Sequence, residues 1–335
     1  MPLLKIFTTS RKRSYGASFT ILFLSLLLAL SLGPNGLLSL EDFNNPTFKL
    51  IFYQVRLPRA LVALFCGGSL ALAGVLSQGL FRNPLAGPSI LGTVSGANLF
   101  VVIMLFFGLA KEHWLLQPLS AFLGAILSTG LVWRLSSRSL GQSGGQLLLL
   151  GFAINAIFAA LATFILSLSL SEYNLSQSIL FWLMGSFNGK SWPHVAMVLP
   201  WFLGALWASR PLARRLNVLN LGEDLAQSLS VSIFTLRWQT IVLMALLVGS
   251  SVAVAGGISF VGLMVPHFTR LYAGADNRHL TTLSCLNGMS IVVLADTLAR
   301  TMLAPAEIQV GAILSLVGAP VFVFLLLKKG GMRGE

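Results

Sequence analysis

Charge is scarce in this chain. Only 10% of its 335 residues are charged, and Asp and Glu together number 10. A water-soluble domain carries about a quarter charged residues, so a soluble globular fold is excluded. There are 2 cysteines, Cys66 and Cys285, far apart and each inside an apolar run, which gives no disulfide framework. The 4 histidines (His113, His194, His267, His279) occupy separate segments without metal-ligand spacing, and no catalytic serine or cysteine constellation accompanies them. No cofactor and no metal site is expected. A phosphate-binding loop is also missing. Gly185-Ser-Phe-Asn-Gly189-Lys190-Ser191 has three residues between its glycines where that loop needs four, and it follows no strand. The chain is therefore not expected to be an enzyme, and any work driven by ATP must be done by another subunit.

Apolar residues are what it has, at 56% of the total. The net charge of +12 does not point to nucleic acid, because the 22 basic residues are scattered between apolar runs. They mark the sides of a membrane instead. Residues 60–81 run apolar with one polar break at Ser77-Gln78, long enough to cross a hydrocarbon core of about 30 Å at about 1.5 Å per residue. Asn83 can cap a short helix after that span, with Pro84 at its first position. Further spans are expected at 15–33, 92–108, 114–135, 146–170, 193–208, 280–299 and 308–327. Residues 34–52 read as a turn-rich connection, 179–187 as apolar but too short to cross, and 210–237 as the longest polar excursion. The first of these spans follows basic residues and could be a cleaved signal peptide; no clean cleavage site follows it, which favours a retained span.

The stretch 238–274 is too long for one span and short for two. Parity resolves it. Both termini are basic, so both are expected in the cytoplasm and the count of spans must be even. A break at Gly256-Gly257 gives ten, placing 16 of the 22 basic residues inside. The expected fold class is thus all-α, a polytopic membrane protein with ten transmembrane helices forming one domain over 1–335. Residues 67–74 (GGSLALAG) echo 249–256 (GSSVAVAG) in helices of opposite direction, which suggests an inverted repeat of spans 2–5 and 7–10. Asp296 is the one carboxylate well inside a span. Arg300, one turn on and about 6 Å along the axis, is its expected structural partner.

Four motifs carry a family resemblance. The first is Arg56-Leu57-Pro58-Arg59, with Gly68…Ala73-Gly74…Gln78 and Arg82-Asn83-Pro84-Leu85-Ala86…Pro88…Leu91-Gly92 after it. The second is Leu216-Asn217-Val218-Leu219-Asn220-Leu221-Gly222 with Ala226. The third is Val261-Gly262-Leu263-Met264-Val265-Pro266-His267, where Pro266 kinks a helix and His267 has a structural role. The last is Ala295-Asp296…Ala299-Arg300 with Glu307 and Val310-Gly311. Together, over 56–327, these resemble the permease subunits of ATP-driven importers for ferric siderophores, haem and vitamin B12. Gln309 stands where that family usually has proline, and Ser230 where it usually has glycine.

The resemblance implies a permease of a binding-protein-dependent importer in the bacterial cytoplasmic (inner) membrane. Two ATP-binding subunits, a periplasmic or lipid-anchored substrate-binding protein and a second permease copy or close homologue would be its partners. It implies binding-protein docking by Arg56, Arg59 and Arg300. ATPase coupling falls to Leu219, Leu221, Gly222, Glu223 and Ala226, and a cytoplasmic gate to Asn83, Leu85, Gln142 and Ser143. A ferric siderophore is the expected cargo because that branch is the commonest; haem and vitamin B12 by the same mechanism stay open. The rival from another class, an ion-coupled secondary transporter, needs an unpaired intramembrane acid or a broken-helix cation site.

Overall fold

The computed structural model describes residues 11–33, 36–37, 45–109, 113–138 and 144–330. Their regular structure is helical apart from one pair of two-residue antiparallel strands, Leu32–Gly33 (β1) and Gly36–Leu37 (β2). The helices are α1 (Arg11–Ser31), α2 (Pro46–Ile51), α3 (Leu57–Leu80), α4 (Thr93–Phe106), α5 (Leu116–Arg138), α6 (Gly144–Leu168) and α7 (Tyr173–Met184). They continue with α8 (Trp192–Leu219), α9 (Glu223–Ser228), α10 (Ile233–Ala255), α11 (Val261–Ala273), α12 (Asn277–Thr301) and α13 (Val310–Gly330).

A helix occupies each of the ten expected spans, and among the described residues 7 are long and apolar enough to cross a membrane. Of the rest, α4 has 14 residues and α11 has 13, short of the roughly 20 that a full crossing needs. The architecture is therefore polytopic and all-α, with short helices inside the bundle beside long ones.

Two expected connections are helical. Residues 46–56 continue directly into α3 through a turn of π-helix at Phe52–Arg56, where the Leu57 amide reaches the Phe52 carbonyl. Pro58 explains the wider turn: its ring cannot follow an ordinary helical turn without striking the carbonyl four residues back. Hydropathy gives no hint of this extension, because helix and membrane crossing are different properties. Similarly α8 runs on to Leu219 through Pro200 and Pro211, taking the first third of the expected polar excursion. The turn after α3 also differs. Asn83 accepts the Leu85 amide at 2.9 Å within a turn, and the short 3-10 helix begins later, at Pro88–Leu91.

Helix α3 is the axis of the molecule. From Pro58 to Leu80 only Leu61 and Phe65 escape full burial, as expected of a helix apolar on every face. It packs against α8, α10, α11 and α12. Glycines let it approach α11 and α12 closely: a Cβ on Gly74 would overlap the Gly262 backbone, one on Gly67 the Gly288 backbone and one on Gly288 that of Gly67. Small residues allow such contact, so dispersion between backbones can hold these helices together where lipid removes the hydrophobic drive.

The packing has the symmetry that the internal echo suggests. Helix α3 of the first half lies on α11 and α12 of the second, and α10 of the second half lies on α4 and α5 of the first. The two central helices touch, with Cys66 Sγ 3.9 Å from the Ser251 carbonyl oxygen. By contrast α6 is apolar all round yet largely exposed, with Leu149, Phe152 and Phe164 at 74%, 73% and 62%. That face belongs to lipid or to another protein surface.

Candidate functional sites

Charged residues gather at the two ends of the bundle. At the outer end Arg59, on the first turn of α3, meets acids from two distant segments. Its Nε and Nη2 donate to both oxygens of Asp296 at 2.8–3.1 Å, and its Nη1 and Nη2 donate to Glu307 at 3.0 Å. A planar guanidinium is the group that can serve two carboxylates at once. This corrects the expected Asp296–Arg300 pair: the partner of Asp296 is Arg59, across helices. Arg300 lies buried with its Nη2 donating to the Ala29 carbonyl in α1.

The same geometry corrects the expected outward-facing basic set. Arg59 is 6% exposed and Arg300 is 3% exposed, so neither presents its charge to a partner in this form of the molecule. Arg56 is half-buried, with Nη1 donating to the Leu30 carbonyl at 3.2 Å and its guanidinium 5.7 Å over the Phe48 ring. Of the three arginines, Arg56 alone reaches the surface.

At the inner end the residues around Gly222 form a compact unit. Gly222 takes a φ of 124°, a conformation L side chains rarely adopt, and so lets the chain turn sharply from α8 into α9. Leu219 and Ala226 are buried and anchor the turn. Glu223 then holds it from both sides, accepting from Arg237 Nη2 of α10 at 2.8 Å and from Arg82 Nη2 after α3 at 3.3 Å. Outward from this frame stand Leu221, Leu225 and Leu229, 66%, 47% and 57% exposed. Three exposed leucines around one short helix make a surface suited to contact with another protein. Ser230 ends the unit at a φ of 60°, which accounts for glycine being usual at its position.

Arg82 and Arg237 did not stand out in the sequence as partners of Glu223. Pairs 141 and 14 residues apart follow no local spacing rule. The same is true of Glu307 and Arg59. Of the expected gate, Leu85 lines a cavity of about 300 Å³ with Pro88, Ile90, Val248, Phe260 and Leu263, between the loop after α3 and the one after α10. Asn83 holds that first loop through its bond to the Leu85 amide. Gln142 and Ser143 lie outside the described residues.

One further charged turn joins α11 to α12. Asp276 caps α12, receiving the Arg278 guanidinium at 2.7–3.1 Å and Asn217 Nδ2 of α8 at 2.7 Å. The Arg278 hydrogen bonds, aided by Asn217, hold its carboxyl well below the usual carboxylate range.

Comparison with known proteins places these features. Residues 19–328 match the model of the FecCD transport family. The chain is 39% identical over 309 residues to the vitamin B12 import system permease protein BtuC of Yersinia enterocolitica, covering 92% of this chain and 90% of that one. It is 40% identical over 291 residues to the uncharacterized ABC transporter permease protein YvrB of Bacillus subtilis, covering 85% and 81%. Its fold matches a solved inward-facing metal-chelate type ABC transporter with a TM-score of 0.85 and 35% identity, over 95% of this chain and 99% of the other.

Proposed function

This chain belongs to the FecCD transport family and is the multi-pass permease of an ABC importer in the bacterial inner membrane; from that we propose that its cargo is a cobalamin-type metal chelate. ATP is hydrolysed by a separate subunit, and a substrate-binding protein completes the system. The choice among chelates rests on the relatives. Vitamin B12 import permeases from several organisms align with 88% or more of the chain. Ferric siderophore, the cargo expected from the sequence, is the second reading, and the metal-chelate character of the solved neighbour accommodates both.

The coupling geometry is the observation that carries the mechanism. An ATPase pressing on Leu221, Leu225 and Leu229 would move α9, and Glu223 would pass that movement to Arg82 beside the gate loop and to Arg237 at the start of α10. Leu85, beside the cavity between the two helix breaks, would then be displaced. We take the working unit to be two permease copies on two ATPases, with Gln142 and Ser143 of each copy completing the gate. Arg56 meets the binding protein, while Arg59 ties the end of α3 that presents it to Asp296 and Glu307, and Arg300 ties α12 to α1.

The test is uptake by proteoliposomes holding the chain, its ATPase and its binding protein, with ATP inside. ATP-dependent accumulation of labelled cobalamin is expected. Accumulation of a ferric siderophore in its place would transfer the assignment to the second reading, and accumulation without ATP under a proton gradient would overturn the importer mechanism.

A further inference from the structure

At the cytoplasmic end of α8 and α12 lies a cavity of about 280 Å³ whose lining includes Leu206, Ser209, Arg210, Arg214, Arg278 and Thr281. Its charge is unbalanced. Its lining holds three arginines and no acid; Asp276, outside the lining, engages Arg278 through both carboxylate oxygens and leaves Arg210 and Arg214 uncompensated by it. Arg210 and Arg214 are exposed and one helical turn apart, an arrangement of like charges that raises the energy of α8 unless an anion lies between them. The hydroxyls add little, because Ser209 donates to the Leu206 carbonyl and Thr281 to that of Arg278. The site therefore recognises negative charge through guanidinium groups.

What lies beside the cavity identifies the ligand. Leu203, Trp207, Arg210 and Arg214 are spaced four, three and four residues apart and so form one stripe along α8. Its membrane-side half is apolar, with Leu203 53% and Trp207 75% exposed. A molecule fitting the whole stripe has an anionic head at the membrane surface and a hydrocarbon tail running inward. A tryptophan in this position sits at the level of lipid headgroups. We propose that the α8–α12 cavity binds the phosphate of an anionic phospholipid from the cytoplasmic leaflet, with its acyl chain along Leu203 and Trp207. The acidic surface of a partner protein would use the arginines but have no need of the apolar half.

Native mass spectrometry of the purified full chain with its ATPase subunit, titrated with phosphatidylglycerol or phosphatidylethanolamine, tests this. Phosphatidylglycerol is expected to bind in preference. Each arginine near the membrane surface contributes about fivefold to such binding, so Arg210→Gln/Arg214→Gln should weaken it about 25-fold and either single variant about fivefold. Arg215→Gln, next in sequence but bonded to Gln239, should leave it unchanged. Equal binding of the two lipids, or undiminished phosphatidylglycerol binding by the double variant, would overturn the proposal. So would equal competition by glycerol 3-phosphate, which lacks the tail, or loss of the ATPase subunit from the double variant with lipid retained.

Discussion

Asp296 and Glu307 share a single guanidinium, and little else at the outer end could keep two acids so near each other. Removing one partner from a buried ionic group costs about 3–5 kcal/mol, because the remaining charges lose their solvation without compensation. Arg59→Gln should therefore lower thermal stability in detergent sharply, and adding Asp296→Asn should restore part of it. An Arg59→Gln protein as stable as the wild type would contradict the triad. Arg56→Glu should leave a stable, inserted protein with impaired uptake, measured in the reconstituted importer. Ser230→Gly is expected to stabilise by about 1 kcal/mol, since a left-handed conformation costs an L residue about that much; a lower melting temperature would argue against it. Asp276 gives a pH dependence. Its folded carboxyl titrates below its unfolded value, so its contribution is complete above the ordinary carboxylate range and is lost as pH falls from there through the lower, folded value. Stability measured from pH 6 downward should fall less steeply in Asp276→Asn than in the wild type. The sequence held these residues but not their pairings. Asp296 and Arg300 satisfy a one-turn spacing visible along the chain, whereas Arg59 is 237 residues from Asp296 and comes into reach only when α3 and α12 pack.

The apolar runs made the long helices legible, because about 20 consecutive apolar residues match the thickness of a bilayer and far exceed what a buried strand needs. Helix ends were much harder to place. Residues 46–56 are helical without being membrane-length, and α8 continues past Pro211 to Leu219 into the polar stretch. Helix α4 starts where the sequence put it, after Gly92, whereas α11 starts after Phe260, a few residues beyond the expected break at Gly256-Gly257. The contact of α3 with α12 permits a direct test of packing. Gly67→Leu should abolish accumulation of folded protein, since its side chain would enter the Gly288 backbone. Gly130→Ala in α5, where nothing lies within 4 Å of an added Cβ, should instead stabilise by up to about 1 kcal/mol through better helix propensity. Comparing their yields by size-exclusion chromatography checks the pair; two equally well-behaved proteins would refute the close approach.

Taken whole, the chain is a conduit whose ATP is hydrolysed by a separate subunit: an exchange-packed pair of helical repeats, an ionic cluster at one end and, at the other, a leucine-bearing turn proposed to act as its lever. The lever must face the cytoplasm if ATP hydrolysis is to drive it. Leu221→Cys, with the buried Cys66 and Cys285 left in place, gives one reactive thiol on α9's approach. A membrane-impermeant maleimide should label it in inside-out vesicles, should fail to do so in intact spheroplasts, and should be blocked when the ATPase subunit is bound. Labelling from the outside, or labelling unaffected by the ATPase, would contradict the coupling of this permease through α9.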